Sequence, residues 1–239
     1  MTALSGRTAV VTGASRGIGA AIARELAGGG ARVGLMARAR PALELLRAEL
    51  GDSAVIVECD VTDEKSVSAA GDCVREAFGG APDIIVNNAG LFRVASLDAM
   101  SPDDFVASIK TNLIAPFFVL HEFLAGMRAR QSGHVVTIGS VADREIFPEN
   151  AAYAASKFGL RALHEVLRSE LSGTGIRATL VSPAAVNTEL WDGLDTGDAQ
   201  QRFPTRDAML DAGAVARAVM FALTQPPSVN VDELRLSRA

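Results

Sequence analysis

Short runs of aliphatic and β-branched residues alternate along this chain with longer stretches in which apolar positions recur every three to four residues. The short runs predict strands at Thr8–Thr12, Arg32–Met36, Ala54–Glu58, Ile84–Asn87, His134–Ile138 and Arg177–Val181, with a last one near Glu233–Leu236. The longer stretches predict helices over about 17–28, 41–50, 64–78, 103–130, 151–172 and 212–224. Strands that are apolar on both sides and separated by helices imply right-handed crossover units, hence a parallel sheet covered on both faces. The expected architecture is α/β, a doubly wound parallel sheet of about seven strands in one domain over 1–239. Punctuation residues agree: Gly28-Gly-Gly30 suits the end of the first helix, Pro41 the opening turn of the second, and Ser101-Pro-Asp-Asp the start of the fourth. One irregular stretch, about 184–211, contains Trp191, Gly193, Gly197 and Pro204, and is expected to be a substrate loop.

Composition narrows the classes of function. Hydrophobic residues make up 49% of the 239 and charged residues 21%, enough for a sizeable core. The net charge of −5, without a cluster of lysine or arginine, argues against nucleic acid as a partner. No apolar run is long enough to span a bilayer, and Met1–Arg7 lacks the pattern of a signal peptide. A soluble, cytoplasmic protein is expected. Cys59 and Cys73 lack metal-ligand spacing and are expected to be two buried thiols; His121, His134 and His164 are dispersed, and no metal site is expected.

Chemistry enters with the turn after the first strand. Val10-Val-Thr-Gly-Ala-Ser-Arg-Gly-Ile-Gly19 places Gly13, Gly17 and Gly19 where a strand feeds a helix. Glycines there allow a tight turn and close approach of a pyrophosphate, and the helix N-terminus offers free N–H groups and partial positive charge. The turn, with Ser15, Arg16 and Ile18, is therefore a candidate dinucleotide site, and the sheet is of Rossmann type. The second strand ends in Met36-Ala37-Arg38, without the acid that would bind a free ribose 2′-OH. Arg38 and Arg16 together suit a 2′-phosphate, so NADP(H) is preferred, with NAD(H) possible.

Tyr153 and Lys157 form a second candidate, one helical turn apart in Ala151-Ala-Tyr-Ala-Ala-Ser-Lys157. A lysine beside a phenol favours the phenolate and is expected to lower its pKa from about 10, making a general acid useful near neutral pH. Tyr153 is the only tyrosine in the chain, so this proton donor has no rival of its kind.

With these motifs the sequence resembles the short-chain dehydrogenase/reductase family, in its single-domain branch, over essentially the whole chain. Asn87-Asn88-Ala89-Gly90 resembles the family's segment beside the adenine ribose, and Asp60, followed by Val61, its adenine-contacting acid. Asn112 resembles the helix-borne catalytic asparagine, and Ser140 the active-site serine. The resemblance implies hydride transfer between a nicotinamide and a small-molecule carbonyl or secondary alcohol, with Tyr153 as general acid or base. Ser140 would bind the substrate oxygen, and Lys157 would hold the nicotinamide ribose. Asn112 would hold a water that links Lys157 to solvent. It also implies cofactor contacts from Pro183, Val186 and Thr188, and a homotetramer or homodimer built on the helices at 103–130 and 151–172.

Two departures bear on function. Ala184 stands where the family usually has glycine after Pro183, and is expected either to crowd the nicotinamide or to occupy a backbone conformation that alanine tolerates poorly. It is the feature that favours a second reading, a dinucleotide sensor without turnover. The C-terminal segment Val229–Leu236 lacks the close of many 3-oxoacyl-carrier-protein reductases, which marks down that enzyme class. The substrate pocket is expected from 91–95, 141–150 and the 184–211 loop; Arg93, Arg144, Glu145 and Glu149 in these segments are expected to face solvent rather than a polar substrate.

Overall fold

The structure is a computed structural model that describes residues 2–192 and 203–239. Seven strands form one sheet: β1 (Thr8–Thr12), β2 (Arg32–Ala37), β3 (Ala54–Glu58), β4 (Ile84–Asn87), β5 (Gly133–Ile138), β6 (Ile176–Pro183) and β7 (Glu233–Leu236). Their order is β3-β2-β1-β4-β5-β6-β7, and every neighbouring pair is parallel. The chain reverses its direction of travel across the sheet between β1 and β4, which opens a crevice at the carboxyl ends of those strands.

Alternate residues of each strand feed different cores, as the two-residue period of a strand requires. Ala9, Val11 and Leu35 join the core beneath α1 (Gly17–Gly28), α2 (Arg40–Leu50) and α7 (Ala212–Leu223). Val10, Met36 and Ile85 face the opposite core, under α3 (Glu64–Phe78), α5 (Ala115–Arg130) and α6 (Ala151–Glu170). The helix ends follow the sequence. Ser101 caps α4 (Pro102–Ile109) by accepting the Asp104 N–H at 3.0 Å, and Pro41 lies in the first turn of α2.

The span expected as one helix over 103–130 is instead two. Between α4 and α5 the residues Lys110–Ile114 form a π-helical turn, a widening that often marks a functional site. Asn112 lies in it, fully buried. The two thiols also differ from expectation: Cys59 is buried, but Cys73 lies on the outward face of α3 and is exposed. The expected substrate loop is described at 184–192 and 203–211; the rest of it lies outside the described residues. Within the described residues no helix is long and apolar enough to cross a membrane, and no group of side chains suits a metal ion.

Candidate active site

A single cavity of about 1010 Å³ runs across the carboxyl edge of the sheet, from the glycine turn to the loop after β6. At one end stand the turn residues Gly13, Ser15, Arg16, Gly17, Ile18 and Gly19, with Arg38, Asp60, Val61, Asn88, Ala89 and Gly90 beside them. Ser140, Tyr153, Lys157, Pro183, Ala184 and Val186 also line the cavity, as does Thr188, whose side chain lies 3.2 Å from where a Gly17 Cβ would stand. Of the residues singled out for catalysis or cofactor binding, only Asn112 is not at the cavity wall; it lies immediately behind it, beside Gly90.

The glycine turn is held by Thr12. Its hydroxyl accepts the N–H groups of Asn88 and Ala89 at 2.9 and 3.0 Å, so the ends of β1 and β4 are locked together at the crevice. Two glycines are required by space. Gly13 has φ +65°, and a Cβ there would sit 2.9 Å from the Ala89 Cα. A Cβ on Gly19 would lie 2.2 Å from the Gly13 carbonyl oxygen. The turn therefore presents backbone, not side chains, at the start of α1, which suits a pyrophosphate. Arg38 extends from the end of β2, largely exposed, with its guanidinium 3.8 Å from the Asp60 carboxylate. Burial works to raise the Asp60 pKa, but hydrogen bonds from the Thr62 N–H and hydroxyl and the charge of Arg38 hold it below the usual carboxylate range. Arg16, exposed just before α1, completes a cationic rim that can receive a phosphate dianion.

Ser140 follows β5 in extended backbone and its hydroxyl accepts the Ala142 N–H at 3.2 Å. Tyr153 shares the cavity wall with Ser140, whose side chain works to lower the phenol's pKa. Lys157 is buried and donates from Nζ to the Ile138 carbonyl at 2.9 Å, with Nζ 5.5 Å from the centre of the Tyr153 ring. The expected electrostatics are reversed. Burial pushes the Tyr153 phenol up to about 12, against the lowering by Ser140, and pushes Lys157 down to about 8. The lysine stands over the ring and bonds to a carbonyl, so without cofactor its charge does not offset the desolvation of the phenol.

Asn112 locks the substrate side. Its Oδ1 accepts the Leu91 N–H at 2.7 Å, and its Nδ2 donates to the Leu91 carbonyl at 2.8 Å and to Ser156 Oγ at 2.9 Å. Ser156 in turn donates to the Tyr153 carbonyl at 2.7 Å. The π-helical turn, the β4 loop and the start of α6 are thus joined through one amide, whose two donor hydrogens are both spent.

Three features of the site escaped the sequence reading. Phe92 packs edge-on to Tyr153 with ring centres 4.9 Å apart, and Trp191 and Phe203 pack against Phe92 and each other. Asp143, buried two residues before Glu145, accepts from Ser182 Oγ at 2.7 Å and pairs with Arg144 at 2.6 Å and Arg161 at 3.6 Å. Glu233 on β7 pairs with the same two arginines. The expected strain at Ala184 is absent. Only Gln131 and Glu149 have positive φ among described non-glycine residues, and the Ala184 N–H donates to the Leu236 carbonyl at 2.8 Å. Of the charged residues in the segments expected to build the pocket, Arg93 pairs with Asp104, Arg144 with Asp143, and Glu145 with Arg235. Arg93 is not part of the cavity wall, whereas Glu145 is.

Comparison with known proteins supplies the family. The short chain dehydrogenase model matches residues 7–199. An uncharacterised oxidoreductase of Staphylococcus haemolyticus is 35% identical over 235 residues, covering 98% of each chain. A glycine betaine reductase of Emericella nidulans is 39% identical over 236 residues; they are 97% of this chain but 18% of that much longer protein. The crystal structure of a metagenomic short-chain oxidoreductase in complex with NADP superimposes with a TM-score of 0.85 at 34% identity, covering 99% of both chains. A match over most of the chain, with the glycine turn, serine, tyrosine and lysine gathered on one cavity, makes this chain a member of the short-chain dehydrogenase family of oxidoreductases.

Proposed function

We propose that the chain is an NADP(H)-dependent reductase of small-molecule carbonyl compounds, or a dehydrogenase of the corresponding secondary alcohols. The observation that carries this reading is that Ser140, Tyr153 and Lys157 line the same cavity as a glycine turn that opens a helix. The cofactor fits the residues present. Gly13 and Gly19 let the turn close tightly on Ala89 and on its own backbone at the start of α1, and Arg16 and Arg38 bring two cations to the same cavity, Arg38 lying 3.8 Å from Asp60. The NADP in the metagenomic relative supports the same choice. Bound there, the cofactor supplies the hydride and, in its oxidised form, a positive charge.

The protein's own groups handle the proton and the oxygen. Ser140 donates to the substrate oxygen and stabilises charge as it develops. Tyr153, protonated at neutral pH because its pKa is high, gives its proton to the alkoxide in the reducing direction. Lys157 is held by the Ile138 carbonyl with donors left for ribose hydroxyls, and a pKa near 8 lets it both accept and return a proton at physiological pH. Asn112, with its donors committed, can only accept from a relay water. The sensor reading is not favoured, since Ala184 sits without strain and the proton donor is intact; nothing at the site favours an acyl-carrier-protein substrate. A homotetramer and a cytoplasmic location belong to the same proposal, the former supported by exposed Phe117 on α5 and Phe158 and Val166 on α6.

The test is oxidation of NADPH, followed by loss of nicotinamide absorbance, across a panel of aldehydes and ketones. Tyr153→Phe is expected to lower turnover by about 10²–10⁴ while leaving NADPH affinity unchanged. Turnover retained in that variant would remove Tyr153 from the chemistry.

A further inference from the structure

The rings around Tyr153 say what kind of carbonyl compound enters. Phe92 is 5% exposed and its backbone neighbour Leu91 is clamped at both N–H and C=O by Asn112, so the ring is fixed in place. Trp191, in the short 3-10 turn Glu189–Trp191, donates its indole Nε1 to the Val186 carbonyl at 3.0 Å. Its only polar atom is thereby satisfied, and the rest of the indole is free to act as an apolar wall. Phe203 closes the group: ring centres lie 5.1 Å apart for Phe92–Trp191, 5.3 Å for Trp191–Phe203 and 6.0 Å for Phe92–Phe203. The three meet edge to face, at interplanar angles of 60–81°. That arrangement is the favoured packing of aromatic pairs, and turns the rings onto one another rather than around a central space. It makes a wall and not the open box in which rings present their faces to a quaternary ammonium.

Among the described residues, the carboxylates of this cavity nearest the wall are engaged elsewhere. Glu145 is matched by Arg235 at 3.6 Å, and Glu189 reaches back over the glycine turn, its Oε2 3.5 Å from where a Gly17 Cβ would stand. A carboxylate, polyol or ammonium group placed against the rings would lose its water without gaining a partner from Phe92, Trp191 or Phe203. We propose that the substrate is an uncharged carbonyl compound carrying a bulky apolar group, a ring or a branched alkyl chain. That group packs on Phe92, Trp191 and Phe203 while the carbonyl oxygen meets Ser140 and Tyr153. This rests on the reductase reading given above.

The test separates the two. NADPH oxidation would be measured with aryl and cyclohexyl aldehydes and ketones, with 2-oxo acids, with hydroxylated aldehydes and with a trimethylammonium aldehyde. Binding would be followed independently through Trp191, the only tryptophan of the chain, whose fluorescence reports the pocket whether or not turnover occurs. For that measurement the intact protein is saturated with NADP⁺, with which a ketone cannot react. Expected results are kcat/KM at least about tenfold higher for the ring-bearing compounds than for the polar set, and a loss of about 10–200-fold in that preference in Trp191→Ala, with a small aliphatic aldehyde little affected. Saturable Trp191 quenching by the ring-bearing ketone alone, without any turnover, would leave the pocket assignment standing and sink the reductase reading. Faster turnover of the charged or hydroxylated compounds would do the reverse. Ring-bearing ketones that neither turn over nor perturb Trp191 would overturn the assignment outright.

Discussion

Two buried histidines should make the active-site half of the sheet sensitive to mild acid. His134 on β5 lies 2.8 Å from the Thr179 hydroxyl through Nε2, and His164 on α6 lies 2.9 Å from the Thr137 hydroxyl through Nδ1. Burial pushes His134 down to about 3, helped by the charge of Arg177 and by His164. His164 goes down to about 4, again through burial, with Arg168 adding to the effect and Glu165, Asp232 and Glu233 opposing it. Both folded values lie below the unfolded value of about 6.5, so between these limits the unfolded chain binds more protons. Stability is therefore full above about pH 6.5 and falls as pH drops. Each histidine contributes a slope of up to about 1.4 kcal/mol per pH unit, so the pair contributes up to about 2.7 between pH 6 and 4. Over that range the loss is several kcal/mol, a large share of the 5–15 kcal/mol typical of a whole domain. Urea denaturation at fixed protein concentration from pH 8 to 4.5 would measure it. The control is His134→Gln with His164→Asn, which retains an amide near each threonine hydroxyl but cannot titrate. Carboxylates contribute equally to both proteins, so the difference isolates the histidines. Identical pH slopes in the two proteins between pH 6 and 4.5 would refute the reasoning.

Arg38→Asp should move cofactor preference from NADPH toward NADH by about 10–100-fold in kcat/KM, the size of a lost charge-assisted hydrogen bond plus a new repulsion; an unchanged ratio means that Arg38 is only a solvated rim residue. Asp143→Asn breaks a buried carboxylate pairing with Arg144 and Arg161, and should cost about 3–5 kcal/mol, hence roughly 2–4 °C of melting temperature for each kcal/mol. Its turnover should fall as well, because the 3-10 turn Val141–Asp143 follows directly on Ser140; a melt superimposable on wild type would show the network to be dispensable. Light scattering should give four times the 24.9 kDa of one chain, and Phe117→Glu should reduce that mass; a monomer at micromolar concentration rules the tetramer out.

What the sequence disclosed about fold and site was set by local signals. Val10, Leu35 and Ile85 lie in runs buried on both faces, and such runs have few other solutions than inner parallel strands. Gly13, Gly17 and Gly19 were legible because their spacing expresses a local backbone demand. The π-helical turn was not, since every residue of Lys110–Ile114 is one that an ordinary helix accepts and Ala115, Val119 and Phe123 take up a regular helical row directly after it. The direction of the Tyr153 shift is not legible for a related reason: sequence spacing shows that Lys157 is one turn away, but not that its Nζ turns to Ile138 or that both groups are desolvated. Phe92, Trp191 and Phe203 come from separate segments, and no pattern along the chain announces that they meet.

The π-helical turn also fixes the phase of everything that follows it. An α-helix advances about 100° per residue, so the surplus residue within Lys110–Ile114 turns α5 by about that angle relative to an unbroken helix. The buried row of Ala115, Val119, Phe123 and Met127 is set in that phase. A one-residue deletion here would do more than withdraw Asn112 from Leu91. It would roll sixteen residues of helix, bringing the outward-facing Phe117 toward the sheet and Phe123 toward water. Length is therefore frozen at this point of the chain as firmly as residue identity.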